Sequence, residues 1–114
     1  MKKPWVLAIA CAICGCAPEQ SRAQSAQAEV DALSSAYIGC MARAVSVYDD
    51  HRSDPAAIGV KVNDACRAEF DRWLQNRAKE LTPDEKRQFL EGMRPRGPKI
   101  DTDVVLRTRA TAQQ

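Results

Sequence analysis

From Cys40 to Cys66 the chain reads CMARAVSVYDDHRSDPAAIGVKVNDAC. The two cysteines of this stretch each lie thirteen residues from Ser53, which sits in a polar run. If helices flank that run, both thiols stand about 15–20 Å from the turn, because a helix rises about 1.5 Å per residue. The spacing therefore predicts a helical hairpin bridged by a Cys40–Cys66 disulfide, provided that the chain reaches an oxidising compartment.

Apolar residues recur at three- and four-residue steps on both sides of this turn. The first series is Val30, Leu33, Tyr37, Cys40 or Met41, Ala44 and Tyr48, and the second is Ile58, Val62, Cys66, Phe70 and Trp73. This periodicity predicts a first helix over about 28–49 and a second helix that returns along it. Asp54 followed by Pro55 is typical of a helix start, with a carboxylate cap and proline in the first turn. The predicted fold class is all-α, an antiparallel hairpin.

A short third helix is predicted to follow the hairpin. Thr82, Pro83 and Glu85 form a capping box with proline at the first helical position. This helix is expected to end near Met93, because residues 94–99 alternate basic side chains with Pro and Gly. Residues 94–114 are therefore predicted to be a basic loop and an irregular tail, although 100–110 could cover the hairpin as a turn of helix or an extended segment.

The N-terminus has the layout of a bacterial signal peptide. Lys2 and Lys3 precede an uncharged apolar stretch, which at about thirteen residues is too short to span a bilayer. Small residues at Ser21 and Ala23 allow cleavage after Ala23 by an ordinary signal peptidase. The predicted organisation is a leader over 1–23, a helical domain over 28–93 and the tail over 94–114.

A second cleavage position lies before Cys16. Residues 13–16 read ICGC, which resembles a bacterial lipoprotein box, although cysteine at the second position of the box is uncommon. In that case Cys16 is lipidated and becomes the first residue, and Ala17, which is not aspartate, permits sorting to the outer membrane. Residues 17–28 are rich in Ala, Gln and Ser, a composition expected of an unstructured tether.

The charge of the exported part argues against a nucleic-acid partner. The chain of 114 residues has 17 Lys plus Arg and 15 Asp plus Glu, but Lys2, Lys3, Arg22 and Glu19 lie before Gln24. From Gln24 onward the two signs therefore balance, whereas nucleic-acid binding requires a clustered basic surface. The last twenty residues are mildly basic, which is weak evidence for an acidic partner or anionic lipid.

The polar turn contains the candidate metal ligands of this sequence. Asp49, Asp50, His51 and Asp54 lie within six residues. No glycine permits the sharp bend of a calcium loop, and Asp54 already serves as a helix cap, so a solvated turn is the preferred interpretation. Neither a metal nor another cofactor is expected.

The histidine, the cysteines and the aromatic residues are the candidates for a catalytic or ligand-binding site. With one histidine and both mature cysteines engaged, no nucleophile and base pair can be assembled, so the protein is expected not to be an enzyme. Cys40 and Cys66 lie too far apart in sequence for a thioredoxin-type redox motif. Tyr37, Tyr48, Phe70 and Trp73 could line a ligand groove between helices, but aromatic residues at helical spacing are predicted to belong to the core.

These features predict a small exported protein of the periplasm or outer membrane of a Gram-negative bacterium. It is expected to be non-enzymatic and to act as a structural module or by binding another protein of the envelope. The alternative hypothesis is a periplasmic chaperone or an inhibitor of an envelope enzyme. Contact with the membrane is expected only through the possible lipid on Cys16.

Overall fold

A computed structural model describes residues 17–114, with side chains from residue 19 onward, and every regular element in this range is helical. The all-α prediction is confirmed. The elements are α1 (Ala17–Tyr48), α2 (Pro55–Ala65), α3 (Arg67–Ala78), α4 (Pro83–Met93), a 3₁₀ turn (Arg94–Arg96) and α5 (Gly97–Ala112). Residues 1–16, which include Cys16 and the lipoprotein box over 13–16, lie outside the described residues, whereas the alternative cleavage position after Ala23 lies within α1.

Two of the helix starts follow directly from local sequence. The Asp54 carboxylate accepts a hydrogen bond from the Ala56 amide at 2.9 Å, and Pro55 opens α2. At α4 the Thr82 hydroxyl accepts from the Glu85 amide, while the Glu85 carboxylate accepts from the Thr82 amide. Both caps satisfy amides that have no partner inside the helix. The predictions at Asp54 and Thr82 are confirmed, as is the end of α4 at Met93.

The returning segment of the chain is two helices, where the periodicity had indicated one. The helical dihedral angles are interrupted at Cys66, with φ −107° and ψ 18°. Hydrogen bonds nevertheless continue through the break, because the Cys66 amide donates to Val62 O and the Cys66 carbonyl accepts from the Phe70 amide. The apolar stripe is therefore kept on one side across the α2–α3 junction, at the residue that is covalently joined to α1.

The prediction of an irregular tail over 94–114 is wrong, because this segment forms a 3₁₀ turn and α5. Pro95 and Pro98 each occupy an early helical position, where a missing amide costs no intrahelical bond. Val105 is fully buried, and Ile100 and Val104 are partly buried against the core. Burial of this face gives the segment the tertiary packing that most protein helices need.

The α5 helix packs most extensively on α2, and it also contacts α1. Gly59 of α2 and Gly97 of α5 allow the close approach. A Cβ atom at Gly59 would stand 2.8 Å from the backbone nitrogen of Thr102, and one at Gly97 would stand 3.1 Å from a ring carbon of Phe70. The core that results draws on α1 to α5 and contains Tyr37, Met41, Ala44, Val45, Ile58, Val62, Cys66, Phe70, Leu74, Leu90 and Val105.

The expectation of an unstructured tether over 17–28 is also not met, since α1 begins at Ala17. The side chains of residues 19–29 are nevertheless all exposed, so this part of α1 is helical without being buried. Alanine and glutamine are favourable in helices, which explains how the composition tolerates a helix. Residues 17–29 of α1 are called the N-terminal arm below.

Candidate functional site

Cys40 of α1 and Cys66 are joined by a disulfide, with their Cα atoms 5.9 Å apart. The bond that the sequence predicted is therefore present. Cys66 is fully buried, whereas Cys40 is partly exposed, so one sulfur lies in the core and the other lies near its edge. This position, between α1 and the α2–α3 junction, is that of a structural cross-link.

The polar turn after α1 uses its carboxylates to hold its own backbone. Asp50 accepts hydrogen bonds from the amides of Arg52 and Ser53 and from the Ser53 hydroxyl, and these bonds hold the pKa of Asp50 well below its usual range. His51 adopts a left-handed backbone conformation, with φ 58°, which closes the turn. Within residues 17–114 no group of side chains has the arrangement of a metal site.

Asp49 is the one member of this turn that is not solvated, because Arg109 covers it. The Arg109 guanidinium donates to Asp49 through Nη2 at 2.7 Å and through Nε at 3.2 Å, and Nη2 also donates to Ser53 O. The Asp49 side chain is only 2% exposed. These hydrogen bonds lower the pKa of Asp49 and raise that of Arg109. The pair ties the C-terminal part of α5 to the end of α1.

Three aromatic side chains pack together between α1 and α3. The ring of Tyr37 lies 5.2 Å from that of Phe70 and 6.2 Å from that of Trp73. The indole of Trp73 donates to Ser34 Oγ, and the Arg77 guanidinium lies 4.7 Å from its ring centroid. Tyr37 and Phe70 are buried, so the aromatic residues contribute to the core as the sequence predicted.

Tyr37 also contacts Asp101, a fully buried carboxylate on α5. The Tyr37 hydroxyl donates to Asp101 Oδ1 at 3.1 Å, while Oδ2 is buried without a hydrogen-bond partner. Burial raises the pKa of Asp101 to about 6, although the bond from Tyr37 opposes this shift. Burial and the neighbouring carboxylate also raise the pKa of Tyr37.

Sequence reasoning missed both charged contacts of α5, although a signal was present. Gly97, Asp101, Val105 and Arg109 follow one another at four-residue steps and share one face of a helix. Similarly, Asp49 continues the four-residue steps of Met41 and Val45 on α1. Once 100–110 is taken as a helix, this spacing places one aspartate and one arginine beside the core.

An open groove lies between the N-terminal arm and the α3–α4 connection. Its volume is about 580 Å³, and its lining combines small, apolar and charged side chains: Ala23, Ala26, Gln27, Val30, Asn76, Arg77, Lys79, Glu80 and Phe89. At the end of the arm, Glu29 accepts hydrogen bonds from Asn76 at 3.0 Å and from Lys79 at 3.4 Å. These contacts attach the arm to α3 and leave the groove accessible from solvent.

None of the helices within residues 17–114 has the length and apolar character needed to cross a membrane. Comparison of the whole chain with protein-family models, with curated proteins and with solved structures found no match.

Proposed function

We propose that this chain is an exported, non-enzymatic protein of the bacterial cell envelope that binds a helix of another protein in the groove beside its N-terminal arm. The observation that carries the proposal is the arm itself, which is helical although the side chains of residues 19–29 are exposed. In this proposal α1 and α2 form the two arms of an antiparallel hairpin closed by the Cys40–Cys66 bond.

An exposed helical arm is the kind of element that a partner stabilises. The arm extends a longer helix whose later turns are packed, but most helices in proteins owe their stability to the packing of one face, and the exposed arm, over residues 19–29, has no such packing. The arm has three to four turns, and the hydrogen bonds that join its described side chains to α3 are those of Glu29 with Asn76 and Lys79. A helix laid in the groove would cover the arm and would use the familiar mode of helix recognition in a groove.

The lining of the groove favours an amphipathic helix as the partner. Ala23 and Ala26 have small side chains, which let an approaching backbone come close, and Val30 and Phe89 supply apolar contact surface. Glu80 and Arg77 also line the groove and carry opposite charges. A partner helix with an apolar stripe flanked by charges of both signs would match this lining. Protein interfaces generally have an apolar centre with polar residues around it.

Site-specific photocrosslinking in the envelope of an expressing bacterium tests this proposal. A photoreactive phenylalanine at Ala26 should form an adduct with one discrete protein, whereas the same residue at Ala57, an exposed position on α2, should not. Filling the groove with Ala26→Trp should abolish co-purification of that protein, and Ala57→Trp should leave it unchanged. Equal adducts at both positions, or capture that survives Ala26→Trp, would contradict the proposed groove.

Export and anchoring have their own test, the mass of the mature N-terminus. We expect the first residue to be Cys16 carrying a lipid modification, with Ala17 permitting delivery to the outer membrane. Replacing Cys16 with serine should then remove the lipid and leave the precursor unprocessed at this position. An unmodified protein beginning at Gln24 would overturn the anchor and indicate a periplasmic protein without one.

A further inference from the structure

The α5 helix is attached to the rest of the protein by two charged contacts of opposite character. Near its start, Asp101 is fully buried with one hydrogen bond, from Tyr37 of α1. Near its end, Arg109 forms a bidentate ion pair with Asp49, which directly follows the last residue of α1. Between them Val105 is fully buried. Both contacts include a carboxylate, but protonation affects them in opposite directions.

We propose that α5 is a pH-sensitive latch, which docks most firmly on α1 and α2 in mildly acidic conditions and loosens as the pH rises toward neutrality. The geometry that carries this proposal is the fully buried carboxylate of Asp101, whose Oδ2 atom has no donor to stabilise a negative charge. As a neutral carboxylic acid, Asp101 can occupy this position at a much smaller desolvation cost.

Among the residues that the structure describes, no cation forms an ion pair with Asp101. Within the described part of the chain, the titratable group that forms a hydrogen bond with Asp101 is Tyr37, through its hydroxyl. The other ionisable groups on α5 and on the elements that pack against it are exposed or belong to the Asp49–Arg109 pair. The exposed groups include Arg43, Lys61, Asp64, Arg94, Arg96, Lys99 and Asp103. The negative charge of Asp101 is therefore opposed by desolvation without an ion pair in return.

The sign of the pH dependence follows from the pKa of Asp101. Its value of about 6 in the folded protein exceeds the ordinary value of 3.8, so the folded state holds the proton more tightly than the unfolded chain. The stability contributed by the protonated form is complete below about pH 3.8 and is lost as the pH rises through 6. Docking of α5 at Asp101 is thus favoured by mild acid.

The Asp49–Arg109 pair sets the acidic limit of this window. The pKa of Asp49 is lowered, mainly by the hydrogen bonds from Arg109. Stability from this pair is therefore present above the ordinary carboxyl pKa and is lost as the pH falls through the lowered value. The two contacts together predict that α5 is docked most firmly at pH values between the lowered pKa of Asp49 and the raised pKa of Asp101. Release of α5 would uncover the buried face of α2, which includes Ile58, Gly59 and Val62.

Hydrogen exchange of the α5 amides at pH 5 and pH 7.5 tests the latch, after correction for the intrinsic effect of pH on exchange. In the unmodified protein we expect α5 protection to fall about tenfold between these values, the factor that follows from the two pKa values of Asp101. In Asp101→Asn, which carries no charge at either pH, protection should stay constant. Asp103→Asn, at an exposed position of the same helix, should behave like the unmodified protein.

Equal protection at both pH values, or a tenfold fall that persists in Asp101→Asn, would overturn the latch. If Asp101→Asn does not fold, the pKa of Asp101 is measured in the unmodified protein by NMR, from the chemical shift of its carboxyl carbon as a function of pH. A titration midpoint near 6, together with the fall in α5 protection, supports the proposal. A midpoint at 4 or below overturns it.

Discussion

Reduction of the Cys40–Cys66 bond is expected to lower the free energy of unfolding by about 3–4 kcal/mol, the largest effect of any single change considered for this protein. The bond closes a loop across a sequence separation of 26 residues, so it removes many open conformations from the unfolded ensemble. A chain of this size buries a modest fraction of its surface, and typical domains are stable by only 5–15 kcal/mol. The cross-link is therefore a substantial part of the total stability.

The measurement is urea denaturation of the mature protein with and without reductant. The double variant Cys40→Ala, Cys66→Ala is the matched control, because it should be destabilised in the same way and should not respond to reductant. Since Cys66 is fully buried, the double variant also loses the packing of a sulfur atom, and it should be slightly less stable than the reduced protein. Two free mature thiols in unreduced, denatured protein, or unchanged melting in reductant, would contradict the cross-link.

Replacing Gly59 with alanine is expected to destabilise the protein by about 1–3 kcal/mol, through overpacking between α2 and α5. The added Cβ would stand 2.8 Å from the backbone nitrogen and 2.9 Å from the Cα of Thr102, closer than non-bonded atoms tolerate. Because these are backbone atoms, rotation of a side chain cannot relieve the contact, and α5 must move away. Val105 would then lose part of its burial.

Gly92→Ala is the matched control, since Gly92 is also helical but an added Cβ would meet no atom within 4 Å. There alanine should stabilise the protein by about 0.5–1 kcal/mol, because glycine loses more backbone entropy in a helix. The two substitutions are chemically identical and should change the urea midpoint in opposite directions. A Gly59→Ala protein as stable as the Gly92→Ala protein would show that α5 does not pack as described.

The prediction of a basic loop and irregular tail over 94–114 is wrong because it interprets Pro95 and Pro98 as helix breakers, although proline is also typical of the first helical turn. Each proline in fact lies in the first turn of a helical element, where its missing amide has no consequence. Whether such a segment becomes helical depends on burial of its apolar face, and that face meets α2, about forty residues earlier in the chain. Sequence periodicity over 100–110 was compatible with a helix but was too short to require one.

Features that depend on neighbouring residues or on covalent chemistry could be predicted from the sequence. The caps at Asp54 and Thr82 are satisfied within three residues, and the apolar periodicity predicted helices. Two cysteines at equal distances from Ser53, on flanking helices and behind an export leader, predicted their bond. Which charged residues are buried depends on how the helices pack in the tertiary structure. Asp49 meets Arg109 across 60 residues and Asp101 meets Tyr37 across 64, because α5 packs on the first two helices. The free energy of a charge depends on its surroundings in space, which no pattern along the chain contains.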